Sequence, residues 1–170
     1  DADEVYLKLG ARRILETLLE GRGPARGIGV TGQMHGIVYV DREGDALGPL
    51  YTWQDGRAAQ PCARGETWAG RLSRLTGYAV APGYGLATHY YNLKHGRVPR
   101  GATMLCTIHD YLVMKLTGRR TPLVDASDAA SLGVFELVKL RFDTAALKSA
   151  GIPPALMPPL APSGTRAGTW

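Results

Sequence analysis

Glycines at positions 29, 32 and 36 divide the stretch from Gly27 to Asp41 into two short apolar runs around a polar centre, Gln33-Met34-His35. Ile28 and Val30 lie before that centre and Ile37, Val38, Tyr39 and Val40 after it, all β-branched or aromatic residues that suit strands. Two strands joined at Gln33 to His35 are therefore expected. Glycine permits close backbone approach and positive φ, so Gln33 and His35 can stand at a strand end, where ligands are often bound. The same spacing also fits an ordinary hairpin with a satisfied histidine.

The rest of the chain frames this stretch. From Asp3 to Glu20, Val5, Leu7, Leu9, Ile14, Leu15, Leu18 and Leu19 recur among charged residues as a helical pattern, stopped by Gly21 to Pro24. A domain that opens on a helix and feeds directly into a glycine-flanked strand is expected to lack earlier strands. Arg42 to Asp45 reads as a turn, and its return strand, with Leu47, Leu50 and Tyr51, delivers Thr52-Trp53-Gln54-Asp55-Gly56-Arg57. An indole, an amide, a carboxylate and a guanidinium so close together can hold a polyhydroxylated ligand by stacking and bidentate hydrogen bonds. Asp55 and Arg57 could equally pair only with each other.

Ala58 to Leu75 suggests one or two helices ending near Gly77. Gly77 to Thr88 is too rich in glycine and proline for regular structure and reads as a loop able to cover a site. It is neither a phosphate loop nor a dinucleotide fingerprint. A short helix carries His89, Tyr90, Tyr91, Leu93 and Lys94 and closes at Gly96; His89 and His95 read as surface or packing residues. Thr103 to Ile108 has a buried-strand pattern and turns at His109-Asp110 into a helix, Tyr111 to Leu116, with Asp110 as its N-cap. Adjacent residues at a helix start point apart, so no His109–Asp110 dyad is expected. Thr121 to Leu123 reads as an edge and Asp125 to Ser131 as a small polar loop able to pass close to a ligand. Phe135 to Leu140 and a helix from Asp143 to Ala150 complete a globular unit of residues 1–160, and 161–170 form a loop-like tail.

Composition excludes several classes. The chain has 170 residues, 45% hydrophobic and 21% charged, as expected of one globular domain. Its net charge of +5 comes from scattered arginines rather than a basic stripe with interleaved aromatics, so no nucleic-acid partner is expected. Cys62 and Cys106 have no metal-ligand or framework spacing, which argues against a metal site and for reduced, cytoplasmic thiols. No apolar run approaches the roughly twenty residues of a membrane span.

Gly32-Gln33-Met34-His35-Gly36, followed at a fixed interval by Thr52-Trp53-Gln54-Asp55-Gly56-Arg57, resembles the first domain of the FGGY carbohydrate kinases. Gly83 to Thr88, Thr107 to Tyr111 and Asp128 to Gly133 extend the resemblance over nearly the whole chain. His109, where pentulose-kinase members tend to have lysine, is similar to the sedoheptulokinase members. The resemblance implies an α/β, ribonuclease-H-like (actin-like ATPase) fold, a mixed sheet with flanking helices, incomplete here. It implies transfer of the ATP γ-phosphate, with Mg2+, to a ketose such as sedoheptulose; a pentulose (xylulose or ribulose) kinase and a non-catalytic sugar-binding module are the alternatives. Carried over by position, Gln33, Met34, His35, Trp53, Asp55 and Tyr84 line the ketose site, and Arg57 and Asp128 either support the pocket or only buttress it. No catalytic base is expected within these residues, because members place it after the first domain and add a second, nucleotide-holding domain as its partner. A homodimer is compatible with the family, and this stretch alone is expected to be inactive, with an unpaired sheet edge.

Overall fold

The computed structural model describes the backbone of residues 2–170 and the side chains of residues 9–170 apart from Arg64. In chain order its elements are α1 (Ala2–Leu19), β1 (Ile37–Val40), β2 (Ala46–Tyr51), α2 (Trp68–Thr76), α3 (Gly85–Lys94), β3 (Met104–Cys106), α4 (Ile108–Thr117), α5 (Ala126–Leu132), β4 (Phe135–Glu136), β5 (Arg141–Phe142) and α6 (Thr144–Ser149). Short 3-10 turns lie at Arg57–Ala59, Ala63–Gly65 and Pro154–Leu156.

The core is built on β1. Ile37, Val38, Tyr39 and Val40 are all buried, so both faces of this strand are covered. Each such side chain contributes about 1.5–3 kcal/mol on burial. β1 pairs antiparallel with β2 on one side and β3 on the other, placing Tyr39 opposite Leu47 and Leu105. The hairpin turn forms as expected: Asp41 Oδ1 accepts from the Glu43 and Asp45 N–H groups, and Gly44 takes φ +85°. Strand pairing among the described residues is antiparallel throughout, with a parallel bridge between Val124 and Leu160.

Helix α3 packs behind β1 and is buried from Gly85 to Asn92, more deeply than its polar residues imply. Tyr39 explains this. Its hydroxyl contacts His89 Nδ1 at 2.9 Å and accepts from Asn92 Nδ2 at 3.2 Å, which satisfies polar groups inside an apolar layer. His89 and His95 are therefore packing residues, the latter stacked on Tyr91 at 3.9 Å.

Four readings need correction. The segment 27–30 forms no strand, because no neighbouring strand among the described residues supplies a ladder; Ile28 is 41% exposed. Ala58 to Leu75 contains two 3-10 turns before α2, since Pro61 and the Pro61–Thr67 bridge interrupt the helical pattern. Helix α4 starts at Ile108, its N-cap being Thr107 rather than Asp110, which falls in the first turn. The stretch 125–131 is helix α5, not a loop: Asp125 caps it by accepting from the Ser127 and Asp128 N–H groups. In α1 the apolar face is largely open, with Leu9, Ile14 and Leu18 more than half exposed, and Val5 and Leu7 lie outside the described side chains. No helix among the described residues is long and apolar enough to cross a membrane.

Candidate sugar site and its polar support

Three loops far apart in sequence converge above the end of β1. The loop 31–36 leads into the strand, and the imidazole of His35 stacks on Tyr84 with ring centroids 4.6 Å apart and planes 8° from parallel. Gly83 presses on the 52–55 loop so closely that a Cβ there would lie 2.2 Å from the Trp53 carbonyl oxygen. At Gly36 a Cβ would lie 2.5 Å from the Tyr51 carbonyl oxygen, and at Gly85 it would meet the Ile37 and Leu132 side chains at 2.6 Å. Glycine is needed at 36 and 83 because the backbones themselves are in contact.

Of the expected site residues, the structure brings His35 and Tyr84 into contact, and the Gly83–Trp53 crossing joins the loop bearing Trp53 to them. Gln33, Met34 and Trp53 are exposed, Trp53 by half, and present free faces to solvent. Asp55 is turned toward its own chain. Its Oδ1 accepts from the Arg57 N–H at 3.0 Å and from Nε at 2.7 Å, while Arg57 Nη1 donates to Asn92 Oδ1 at 2.5 Å and the guanidinium lies 4.3 Å over the Tyr51 ring. Arg57 is thus a brace between the 52–57 loop and the α3 core, joining it to the Tyr39–His89 network.

Asp128 belongs to a second layer. On α5 it hydrogen-bonds His109 Nε2, while Thr107 donates to Asp110. Gly32 closes this layer from above: a Cβ there would meet His109 Nδ1 at 2.8 Å. His109 and Asp110 make no direct hydrogen bond to each other, but their side chains do not point apart as expected: both reach the Thr107 hydroxyl. Donor atoms of His109, Asp110 and Asp128 lie within 4.8 Å of one another, a spacing that one cation could bridge. Their mutual hydrogen bonds and Thr107 already provide the compensating donors, so the arrangement stands without an ion. What the sequence reading missed here is Ser131. Asp125, Asp128 and Ser131 recur every third residue, the helical signal that the reading as a loop concealed.

A cleft of about 830 Å³ lies elsewhere, between the 24–30 segment, α4 and the tail; Ile28, Val30, Val113, Leu116 and Trp170 line it. It shares His109, Asp110 and Asp128 with the polar layer, but none of Gln33, Met34, His35, Trp53, Asp55 or Tyr84 borders it.

The buried titratable groups act in opposite directions. Burial pushes Asp110 up to about 6 and His89 down to about 4. For His109, burial opposes the charge, but the hydrogen bond and charge of Asp128 outweigh it and the pKa rises. A raised folded pKa stabilises below the unfolded value and loses that stability as pH rises; a lowered histidine pKa does the reverse. Between about pH 6.5 and 4, Asp110 therefore gains what His89 loses. His109 changes only above that window. In Asp110→Asn the opposition disappears, and acidification from about pH 6.5 to 4.5 lowers Tm by roughly 5–10 °C more than in the parent. Thermal melts at the two pH values check this, and equal shifts in both proteins would refute it.

With this geometry in view, comparison with known proteins is direct. The model of the FGGY family of carbohydrate kinases, N-terminal domain, matches residues 14–170. Human (Homo sapiens) sedoheptulokinase is 34% identical over 158 residues, covering 84% of this chain and 32% of its own length. A glycerol kinase from Bradyrhizobium diazoefficiens is 31% identical over 150 residues, covering 83% and 30%. The crystal structure of xylulose kinase from Rhodospirillum rubrum superposes with a TM-score of 0.71 at 28% identity, over 92% of this chain and 33% of that one. The fold is accordingly the actin-like ATPase class, and the chain spans about a third of the length of the curated relatives it matches. Matched over residues 14–170 and more than 30% identical to curated members, the chain belongs to the FGGY family of carbohydrate kinases.

Proposed function

We propose that the complete gene product is an ATP-dependent carbohydrate kinase whose acceptor is a ketose, with sedoheptulose the preferred one. The surface formed by Gln33, Met34, His35, Trp53, Asp55 and Tyr84 binds and orients the sugar, while Arg57 and Asp128 hold that surface in place. The observation that carries this reading is the meeting of the 31–36, 52–55 and 83–84 loops through the His35–Tyr84 stack and the Gly83–Trp53 crossing. An aromatic pair beside an exposed indole and amide suits a flat array of hydroxyls. The preference for sedoheptulose is supported by similarity to sedoheptulokinase; glycerol kinase and xylulose kinase relatives make glycerol and the pentuloses the competing acceptors.

Neither α4 nor α5 is suited to hold the nucleotide's phosphates. Helices α4 and α5 are capped by Thr107 and Asp125 and carry Asp110 and Asp128 in their first turns, which disfavours a phosphate at either N-terminus. The His109, Asp110 and Asp128 group mixes an imidazole with carboxylates, whereas Mg2+ prefers oxygen ligands in octahedral array. These groups therefore offer neither a phosphate cradle nor an oxygen-only Mg2+ site. The two cysteines, Cys62 and Cys106, are both free, which suits the cytoplasm.

ADP release by the complete gene product, with MgATP and sedoheptulose, xylulose, ribulose or glycerol in turn, tests the proposal, and the 170-residue chain alone is the control, expected to give no ADP above blank. Highest kcat/KM on sedoheptulose is the expected result. His35→Ala should lower kcat/KM by about 100-fold while leaving a cooperative melt. Preference for a pentulose would keep the family and change the acceptor; no turnover on any of the four would favour a non-catalytic binding module.

A further inference from the structure

The Ser131 carbonyl lies in the last turn of helix α5, where it has no partner four residues ahead. His35 Nδ1 approaches that carbonyl oxygen at 2.7 Å. A carbonyl oxygen only accepts, so Nδ1 carries a proton. The Ser131 hydroxyl donates to the Asp128 carbonyl at 2.7 Å, which commits its single proton and leaves its oxygen to accept from the His35 main-chain N–H at 3.3 Å. One serine therefore grips both the backbone and the ring of His35. This grip holds His35 at φ +76°, a left-handed conformation that a residue with a Cβ adopts only when its surroundings impose it. The parallel Tyr84 ring fixes the remaining rotation. Nε2 makes no hydrogen bond among the described residues and is the atom left facing outward.

We infer that Ser131 is a positioning residue: its main-chain carbonyl favours the Nδ1–H tautomer of His35 and its hydroxyl holds the His35 backbone, so that Nε2 accepts a hydrogen bond from a sugar hydroxyl. The group read at this point must be able to donate. A hydroxyl qualifies; a keto oxygen or a phosphoryl oxygen, which can only accept, meets another lone pair and is rejected. The inference rests on the proposed sugar site and specifies how that site discriminates.

Two independent measurements test it on the complete gene product. Nitrogen-15 imidazole spectra near neutral to mildly alkaline pH read the tautomer without any sugar. The expected result is a protonated Nδ1 and a bare Nε2 for His35, in the parent and in Ser131→Ala alike, because the carbonyl that accepts from Nδ1 belongs to the main chain and survives the substitution. A dominant Nε2–H tautomer in the parent overturns the inference whatever the sugar result. The second measurement uses monodeoxy and monofluoro analogues of the preferred ketose, since fluorine cannot donate. At one position both analogues should bind about tenfold or more weaker than the parent sugar, and that penalty should vanish in His35→Ala. Ser131→Ala should raise KM by roughly tenfold with kcat little changed, and Ser131→Thr should restore it. Fluoro analogues that bind as well as the parent at every position overturn the inference. Failure to bind any ketose removes the sugar-site reading itself, and with it the role of Nε2, while leaving the tautomer result to stand alone.

Discussion

Gly83→Ala should lower the stability of the chain by about 3 kcal/mol or more, which for a protein of this size is a fall in Tm of roughly 6–12 °C. Two costs add at this position. The new Cβ would sit 2.2 Å from the Trp53 carbonyl oxygen, an overlap with backbone that no rotamer change relieves. It would also hold an alanine at φ +90°, disfavoured by about 1–2 kcal/mol. The chain can relieve the overlap only by parting the 52–55 and 83–84 loops, which would carry Trp53 away from the His35–Tyr84 stack. Ketose binding should therefore weaken even at temperatures where the variant remains folded. Gly77→Ala is the matched control: it has a similar φ of +76° but open space around its Cβ, so it should bear the conformational cost alone. Calorimetry of the two variants decides the matter, and equal losses would show that the backbone crossing contributes nothing.

Removing Asp128 should have a comparable effect through electrostatics. His109 and Asp128 are 8% and 15% exposed at their side chains, and each satisfies the other. Asp128→Ala leaves a buried imidazole whose Nδ1 already lacks a partner and whose Nε2 keeps only the Thr107 hydroxyl at 3.2 Å. Breaking one side of a buried pair costs about 3–5 kcal/mol, and losing a first-turn aspartate from α5 adds a few tenths more. Replacing both partners, as His109→Leu with Asp128→Ala, should cost less than Asp128→Ala alone, because no uncompensated polar group remains. Denaturant unfolding of the two singles and the double completes the cycle. A double variant less stable than the sum of the singles would refute the pairing. Since Gly32 rests on the His109 ring, loosening this layer should also raise the ketose KM of the complete gene product.

The two prediction sites show where sequence patterns speak and where they stop. Gly32, Gly36, Gly83 and Gly85 are visible as glycines, and their density marks loops that approach something closely; which neighbour each approaches is set by chain crossings between residues fifteen to seventy-seven positions apart. Asp128 was visible as an acidic residue near the site, but its partner was not. His109 sits beside Asp110 in sequence and was weighed against that neighbour, whereas α4 and α5 bring it to Asp128. Ser131 went unnoticed because Asp125 to Ser131 looks like a polar loop, and only its capping by Asp125 makes it helical and turns one serine toward His35.

Local chemistry therefore settled the elements whose stability is local. The β1–β2 hairpin follows from four consecutive β-formers, an aspartate that caps the turn and a glycine at φ +85°, and the ends of α2 and α4 follow from Gly77 and Gly118 in left-handed conformation. The family, too, was legible from motif order alone. Tertiary structure decided everything that depends on a partner: the segment 27–30 forms no strand without a ladder, α3 is buried to its histidine where Tyr39 meets His89 Nδ1 and accepts from Asn92, and His35 adopts its strained form because Ser131 offers it both a hydroxyl and a free carbonyl. Hydrogen bonds and packing between distant residues carry no periodicity, so they leave no pattern in the chain; they exist only once the fold has brought the two ends of each contact together.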